Sequence, residues 1–527
     1  MHSDLPLSPS LEDVINITRG IREDMARHEE LLGKIIERLD LLSAQLLSAQ
    51  LLSAPPPSAQ LPSVWMPAKA KVNLIEIIQT SPEIRRVEAV HSNMHDIGGR
   101  LRKTLLGQLY TNHLKQYVVV RWLAHGVWRN GYPFYVNYIA SRLSNRKEKR
   151  WRPLIKLSEY VTKSKIPSYK LTDSAVVETP NPKVFPTYDQ GYLNAPHDRF
   201  RFLEIYVATV NNATTYGGTN FILADGEVIC HDLYGFERDY TSEELHSRAL
   251  IDPKSGRIRW LSHDEAPESI PVAATFVDAC ASNYAHWVTE VLPRIVLFCA
   301  EDTFRSVPIV VNDGLHKNIM ESLFLVAGTG RKIITLSIGR ALAVDKLYLT
   351  SVAGYVPFER RENKLSGHLH GVFSPLALGA LRKHLTALNR EKEQGVWPEK
   401  IFLRRNSGAR KVTNSNELEE LLVAQGYVIV EPEKLSFLEQ VGLFSNVKSV
   451  IASSGAAVAN IIFCSPASKI LILISKQPNT SYWYWQNMAA ASGNFVQYIL
   501  GETVTENMRS IHDDFYISPA EVLKALK

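Results

Sequence analysis

The chain has 527 residues, 45% of them hydrophobic and 21% charged. At roughly 150 residues per domain, this length accommodates about three domains with cores of their own. Lys and Arg (59) exceed Asp and Glu (54) by five, and this mild excess argues against a protein that coats nucleic acid. No stretch approaches the ~18 uninterrupted apolar residues of a membrane span, and the N-terminus predicts no secretory signal. Four widely spaced cysteines without a CxxC motif predict reduced core thiols in a cytoplasmic protein; they are Cys230, Cys280, Cys299 and Cys464.

Residues 1–54 carry mainly apolar side chains in two rows at seven-residue spacing, with charges of both signs between them. A narrow seam of this kind is typical of a coiled coil, so we predict that the segment drives self-association. The alternative is a single amphipathic helix that lies on its own domain or on a membrane surface. Residues 55–64 contain three consecutive prolines and are interpreted as a linker. The two rows are Thr18, Met25, Leu32, Leu39 and Leu46, and Val14, Ile21, His28, Ile35 and Leu42.

Residues 65–196 are interpreted as a helical or mixed accessory region. Arg146–Arg152 is a basic run that contains Trp151. Such a run is usually a solvated surface, and contact with an anionic membrane or an acidic glycan is the alternative. Pro180, Pro182 and Pro186 predict an extended crossing into the next domain.

From Arg201 onward, short β-rich runs alternate with helical ones, which indicates α/β units on a largely parallel sheet. Residues 197–395 are interpreted as a first Rossmann-like domain. It has predicted helices near 284–300 and over 317–327, and a less regular bridging stretch from 353 to 395. The predicted strands are Ile205–Val210, Asn220–Leu223, Val228–His231, Val272–Val277, Pro308–Val311, Ile333–Leu336 and Lys346–Thr350.

Residues 396–527 are interpreted as a second Rossmann-like domain. Asn414 with Glu417, and Ser436 with Glu439, predict capping boxes at two helix starts. A tight turn at residues 453–455 precedes a predicted helix over 456–463. The predicted strands are Lys400–Leu403, Tyr427–Val430, Lys448–Ala452 and Ile470–Ile474. The predicted fold class is therefore α/β, with two doubly wound domains that face a cleft.

The first candidate site lies at the start of the helix near 284–300. His286 and Glu290 are four residues apart, so on a helix they share one face. A histidine paired with a carboxylate can deprotonate a hydroxyl group. The alternative is an ion pair between Glu290 and Arg294 with a histidine that is satisfied structurally.

Two further candidates follow strands of the second domain. The loop after Leu403 carries Arg404, Arg405, Arg410 and Lys411, and planar guanidinium groups can clamp a diphosphate. A solvated basic loop is the alternative. Small residues at 453–460 let backbone amides approach a phosphate at a helix start, although they also suit simple helix–sheet packing. No Asp-x-Asp motif occurs, so no carboxylate pair for a divalent ion is predicted.

Four collinear blocks between Arg201 and Leu500 resemble glycosyltransferase family 61. The first is Asn283-Tyr284-Ala285-His286-Trp287 with Glu290-Val291-Leu292-Pro293-Arg294. The second is Ile401-Phe402-Leu403-Arg404-Arg405 with Arg410-Lys411, Asn414 and Glu417-Leu418, and the third is Glu431-Pro432, Leu435-Ser436-Phe437 and Glu439-Gln440. The fourth is Gly455-Ala456 with Asn460 and Phe463.

This resemblance implies a GT-B fold and an inverting, metal-independent transfer of a sugar from a nucleotide-sugar donor to a glycan acceptor. It implies that Glu290 or His286 is the catalytic base and that Asn283, Tyr284 and Arg294 lie on the acceptor side. It further implies that a second set of residues binds the donor phosphates, with no cofactor or metal required. That set is Arg404, Arg405, Arg410, Ser454, Gly455, Ala456 and Asn460.

The expected role is capsular or surface polysaccharide synthesis by a cytoplasmic protein, with peripheral contact to the inner membrane as an option. Ser454 stands where the family usually has His, and residues 469–473 lack the Glu expected in that strand. These departures motivate an alternative function, a catalytically degenerate glycan- or nucleotide-binding scaffold that assembles through its coiled coil.

Overall fold

The computed structural model describes residues 151–193, 198–245, 248–260, 267–357, 359–361, 371–392, 396–406, 410–476, 482–504 and 513–527. The predicted coiled coil, the linker, residues 65–150 of the accessory region and most of the basic run lie outside the described residues. None of the helices in these ranges is both long enough and apolar enough to cross a membrane.

Twenty-four strands are numbered along the described residues. In chain order they are β1 (Arg152–Lys156), β2 (Ser168–Thr172), β3 (Ala175–Thr179), β4 (Lys183–Phe185), β5 (Asp198–Phe202), β6 (Ile205–Tyr216), β7 (Ile222–Ala224), β8 (Glu227–Cys230), β9 (Asp239–Tyr240), β10 (Ala249–Asp252), β11 (Arg257–Trp260), β12 (Glu268–Thr275), β13 (Ile309–Asn312), β14 (Ile333–Leu336), β15 (Ala341–Thr350), β16 (Gly354–Tyr355), β17 (Glu359–Arg360), β18 (Val372–Phe373), β19 (Lys400–Leu403), β20 (Val428–Val430), β21 (Ser449–Ser453), β22 (Lys469–Ser475), β23 (Val496–Thr503) and β24 (Phe515–Tyr516).

Ten α-helices accompany these strands in the described ranges. They are α1 (Leu157–Ser164), α2 (Ser242–Leu245), α3 (Tyr284–His286), α4 (Leu292–Ala300), α5 (Lys317–Ala327), α6 (Pro375–Lys392), α7 (Ser415–Ala424), α8 (Phe437–Asn446), α9 (Trp483–Ala491) and α10 (Pro519–Leu526). A π-helix over Trp287–Val291 joins α3 to α4. Short 3₁₀ helices cover Thr187–Tyr192, Asp302–Phe304, Pro432–Lys434 and Ala456–Phe463.

The larger sheet has eleven strands in the order β10-β11-β1-β8-β7-β6-β15-β12-β13-β14, with β2 beside β6. Strands β15, β12, β13 and β14 are parallel neighbours, whereas β6 joins them antiparallel to β15. The helical stretch from α3 to α4 connects β12 to β13, and α5 connects β13 to β14. This arrangement places the start of α3 just after the carboxyl end of β12.

The second sheet runs β20-β19-β21-β22-β23, with all of these neighbours parallel. Strands β4 and β24 both add to β23, β4 parallel and β24 antiparallel. Strands β21 and β22 are buried almost throughout, as expected for a sheet covered on both faces. Numbered by their order along the chain, the five parallel strands lie across the sheet in the order 2-1-3-4-5. Strand β20 is added on one side of β19 and β21 on the other, so the direction in which strands are added reverses between β19 and β21. Open α/β sheets bind ligands at the carboxyl ends of the strands at such a point.

The predicted mixed α/β class is confirmed, and several predicted bounds match the structure, including α5 and β19. The predicted capping box at Ser436 is also confirmed. The one at Asn414 is wrong, because its side chain caps no helix. Instead, Asn414 Nδ2 donates to Glu417 and to the carbonyl of Ile517, and its Oδ1 accepts from the Ile517 amide.

The stretch from 353 to 395 was expected to be irregular, but it contains the 18-residue helix α6. Leu378, Leu381 and Leu385 of this helix are buried, and they share one hydrophobic core with Ile295 of α4 and Val441 of α8. Helix α6 therefore packs between elements that belong to the two sheets. The four cysteines are unpaired thiols, as predicted, and burial raises the pKa of Cys230 to about 12.

Candidate active site

His286 and Glu290 are in direct contact, as their spacing predicts. Asn283 begins α3, since its side chain accepts a hydrogen bond from the Ala285 amide at 3.0 Å. His286 Nδ1 then lies 2.6 Å from Glu290 Oε1. The intervening residues form the π-helix, and Pro293 stands at the start of α4, where its missing amide proton is tolerated.

The environment of this pair makes His286 more basic than an ordinary histidine. Burial favours the neutral ring and lowers the pKa of His286, but the carboxylates of Glu290 and Asp278 outweigh burial, so the pKa is raised overall. The second carboxylate oxygen of Glu290 accepts a hydrogen bond from the Val356 amide at 3.4 Å. The side chains of His286 and Glu290 are 21% and 11% exposed, so ligands can still reach them.

Arg294 lies beside this pair but forms its ion pair with a different carboxylate. Its Nε donates to the main-chain carbonyl of Glu290 at 3.0 Å. Its Nη2 lies 3.6 Å from Asp278 Oδ2. Burial lowers the pKa of Arg294, and the nearby carboxylates offset part of that effect. Asp278 was missed in the sequence, although it follows β12 in the same way that the other candidates follow their strands.

A pocket opens beside Glu290 and Arg294. Asp278, His231 and Glu243 also line it. Burial lowers the pKa of His231 to about 4, so its ring is neutral at physiological pH. Neither His231 nor Glu243 was among the predicted site residues.

Tyr284 connects this pocket region to the second sheet. Its hydroxyl group donates to Asn460 Oδ1 at 2.5 Å, and Asn460 Nδ2 donates to Gln440 Oε1 at 2.8 Å. Tyr284 was predicted on the acceptor side and Asn460 on the donor side, and the structure brings the two into contact. Asn460 is fully buried, so both of its polar atoms serve this internal link.

Arg404 is held by two carboxylates. It forms a two-pronged contact with Glu419, including Nε to Oε1 at 2.9 Å, and a further bond to Glu431 at 2.9 Å. The hydrogen bonds to Glu419 and Glu431 outweigh desolvation and raise the pKa of Arg404. Arg404 therefore fastens the loop that follows β19 to α7 and to the end of β20.

Arg405 and Arg410 follow β19 and lie next to the end of β21, where they approach Gly455 and Ser453. Gly455 gives Arg405 its space, because a Cβ atom at that position would overlap Nη1 of Arg405. Burial and the charge of Arg410 lower the pKa of Arg405 to about 10, and Asp514 offsets part of this. Arg410 adopts a left-handed backbone conformation (φ 59°), and its carbonyl accepts a hydrogen bond from Ser453 Oγ at 3.3 Å.

The turn that precedes the 3₁₀ helix supplies backbone amides at the same end of β21. The Ser454 amide donates to the carbonyl of Leu473 at 2.9 Å, so it is already used. Ala456 begins the 3₁₀ helix, and the first amides of a helix have no acceptor within it. Among the described residues, no group of three or more His, Cys, Asp or Glu side chains is arranged to hold a metal ion.

Comparison with known proteins identifies one family. Residues 284–471 match the family model described as glycosyltransferase 61. The match begins at Tyr284 of α3 and ends within β22, so it spans the histidine–glutamate pair, the arginine loop and the turn at Gly455. No curated protein matches the chain.

Proposed function

We propose that this chain transfers a sugar from a nucleotide-sugar donor to a hydroxyl group of a glycan acceptor, because residues 284–471 match the glycosyltransferase 61 family model. The transfer inverts the anomeric centre and needs no metal ion. The observation that carries this proposal is the contact between His286 and Glu290, whose carboxylate lines a pocket.

In this proposal His286 is the catalytic base. Glu290 accepts a hydrogen bond from the protonated Nδ1 of His286. The unprotonated Nε2 then takes the proton of the acceptor hydroxyl group. The acceptor oxygen forms a bond to the anomeric carbon of the donor while the bond from that carbon to the phosphate oxygen breaks. The nucleoside diphosphate leaves with the electron pair. Glu290 then stabilises the imidazolium that forms, as a carboxylate partner does in other histidine bases.

Arg405, Arg410 and the start of the 3₁₀ helix at Ala456 stabilise the charge that grows on the leaving diphosphate. Their position after β19 and next to the end of β21 supports this role, since the strand order reverses between these two strands. The two guanidinium groups replace the divalent ion that a carboxylate pair would hold. Arg404 positions the loop through Glu419 and Glu431.

We further propose that the two sheets correspond to the two halves of a GT-B fold, with the acceptor near Glu290 and the donor near Gly455. The link from Tyr284 to Asn460 supports this arrangement, because it joins the two candidate half-sites. Self-association through residues 1–54, a cytoplasmic or membrane-peripheral location and a role in capsular polysaccharide synthesis complete the proposal.

The test begins with thermal unfolding in the presence of UDP, GDP, CMP, dTDP and their sugar conjugates, with EDTA present throughout. We expect one nucleotide diphosphate to raise the melting temperature of the wild type, because a ligand that binds the folded state stabilises it. Arg405→Ala should abolish the shift. Arg390→Ala, which removes an exposed cation of α6, should leave it unchanged.

Transfer is then measured with the conjugate that binds, as release of nucleoside diphosphate in the presence of glycan acceptors, and the anomeric configuration of the product is read by NMR. Binding without transfer to any acceptor would favour the degenerate scaffold. The absence of a shift with every nucleotide would overturn the proposed donor site, as would a shift that Arg405→Ala leaves intact.

A further inference from the structure

The pocket beside Glu290 contains a buried donor and a buried acceptor that have no hydrogen-bond partner within the described part of the chain. They are Arg294 Nη2, which lies 3.6 Å from Asp278 Oδ2 in an ion pair but forms no hydrogen bond, and Glu243 Oε1. A third such atom on the pocket wall is His231 Nδ1. Arg294 is only 5% exposed and Glu243 only 3%, and both side chains line the pocket. Unpaired buried polar atoms are destabilising, so this pocket is suited to a ligand that can both donate and accept hydrogen bonds.

Hydroxyl groups meet that requirement, because each of them has one donor hydrogen and two acceptor lone pairs. A sugar ring carries several such groups at fixed angles. One hydroxyl group can accept from Arg294 while another donates to Glu243. Aromatic side chains complete the surface: Tyr355 lies against His231, with ring centroids 4.6 Å apart, and both line the pocket.

The charges of the pocket select among sugars. Three carboxylate side chains line it, those of Glu243, Asp278 and Glu290, against the single guanidinium group of Arg294. Asp278 already faces that guanidinium group, with 3.6 Å between the two charges. An acidic sugar would bring a further negative charge next to carboxylates in a partly desolvated space, where repulsion between like charges is strong.

We propose that this pocket holds the terminal sugar of the acceptor and that it takes an uncharged sugar while excluding a uronic acid. This inference rests on the proposed function, because it places the acceptor beside Glu290, the carboxylate partner of the proposed base. It adds the chemical class of the acceptor, which follows from Glu243, Asp278 and Arg294.

The experiment measures binding of matched methyl glycosides to the full chain by isothermal titration calorimetry, without a donor. For each of the gluco, galacto and manno series, the neutral glycoside is compared with its uronate and with the uronamide. The uronamide has nearly the shape of the uronate without its charge. We expect at least one neutral glycoside to bind about tenfold or more tightly than its uronate, and the uronamide to recover most of the loss.

Glu243→Gln keeps the shape of the side chain and removes one negative charge. We expect it to narrow the preference for the neutral glycoside over the uronate by about threefold or more. Glu237→Gln removes an exposed carboxylate outside the pocket and serves as the matched control, with no expected change. An equal preference in the Glu243→Gln protein and the wild type would contradict the charge argument.

The comparison of ligands on the wild-type protein needs no variant, so the proposal stays testable if Glu243→Gln fails to fold. Uronates that bind as tightly as the neutral glycosides would overturn it. Uronamides that bind as weakly as the uronates would also overturn it, because the exclusion would then be steric. A lack of binding by all three neutral glycosides would overturn it as well. Binding of neutral glycosides without any transfer would instead refute the proposed enzyme activity and leave the pocket assignment standing.

Discussion

The two halves of the candidate active site balance their charges in different ways. Around His286, two pairs of opposite charges form within the protein, since His286 contacts Glu290 and Arg294 faces Asp278. Beside Gly455, burial and mutual repulsion lower the pKa of Arg405 to about 10, with Asp514 only partly compensating. Burial also lowers the pKa of Arg410.

We expect this difference to separate the roles of the two halves. The histidine–glutamate pair is organised by protein groups alone, as a base must be if it is to act without reorganisation. Burial disfavours the positive charges of Arg405 and Arg410. The negative charges of an incoming diphosphate would stabilise them. Loss of a residue in the first half should therefore affect turnover, and loss of one in the second half should affect binding of the donor.

The largest expected effect comes from His286. We expect His286→Ala to lower kcat by about 10²–10⁴-fold, the usual contribution of a general base, with the affinity for the donor nucleotide within about threefold of the wild type. Steady-state kinetics at saturating donor, combined with the thermal shift by nucleotide, separates the two effects.

His384→Ala provides a matched control for His286→Ala, since His384 lies on α6, outside the lining of the pocket, and its Nε2 lies 3.3 Å from the carbonyl oxygen of Leu325. Its kcat should equal that of the wild type. If His286→Ala kept its kcat and lost donor affinity instead, the division of labour between the two halves would be wrong.

Gly455→Ala tests the arginine half. The new methyl group would overlap the Arg405 guanidinium group and displace it, without backbone strain, since the φ of Gly455 is 173°. We expect about tenfold weaker donor binding, because a charge-assisted hydrogen bond to phosphate contributes roughly 1.5–3 kcal/mol. Titration calorimetry with the nucleotide identified above measures this loss.

The double variant Gly455→Ala/Arg405→Ala sharpens the test. If the methyl group acts through Arg405, it should have little further effect once that side chain is removed. Gly379→Ala on α6 adds a methyl group in open space and should bind donor like the wild type. Additive losses in the double variant would show that the methyl group acts on something other than Arg405.

The pH dependence of turnover distinguishes the roles of His286 and Glu290. A base must be unprotonated, so kcat/KM should fall as the pH drops through the raised pKa of His286. Glu290→Gln removes the negative charge that raises this pKa, while burial continues to lower it. We therefore expect the acidic limb of the pH profile to move to lower pH. Glu237→Gln should leave the profile in place, and an unmoved limb in Glu290→Gln would assign the titration to another group.

The fold around the second sheet was largely predictable, because the hydrophobic pattern and the helix-capping residues there indicate the same strands and helices. Strands β21 and β22 are continuous apolar runs, and the Ser436 capping box marks the start of α8. Helix α6 was missed although its leucines recur at helical spacing, because small and charged residues between them lower the apolar character of the segment. Its burial between α4 and α8 stabilises it, and that packing is not a local property of the sequence.

The candidate site was predictable where one helix holds both partners, as with His286 and Glu290. It was not predictable where distant elements meet. Arg404 and Arg405 are adjacent in sequence, and only the tertiary positions of Glu419 and Glu431 distinguish the arginine that is held by carboxylates from the one beside Gly455. His231 and Glu243 reach the pocket from separate parts of the chain, so no spacing in the sequence connects them to Glu290.

The smallest effect concerns the link between the two halves. Tyr284→Phe removes the hydroxyl group that donates to Asn460 and leaves a buried acceptor with one partner fewer, which costs about 1–3 kcal/mol. We expect a lower urea midpoint with kcat within about threefold of the wild type, since the hydroxyl group is already used in a hydrogen bond to Asn460 within the protein. Tyr188→Phe, on a side chain that is 82% exposed, should change neither quantity. A large loss of kcat at unchanged stability would mean that Tyr284 acts on the acceptor. Tyr284 would then belong to the half of the site around His286 and not to the link between the two halves.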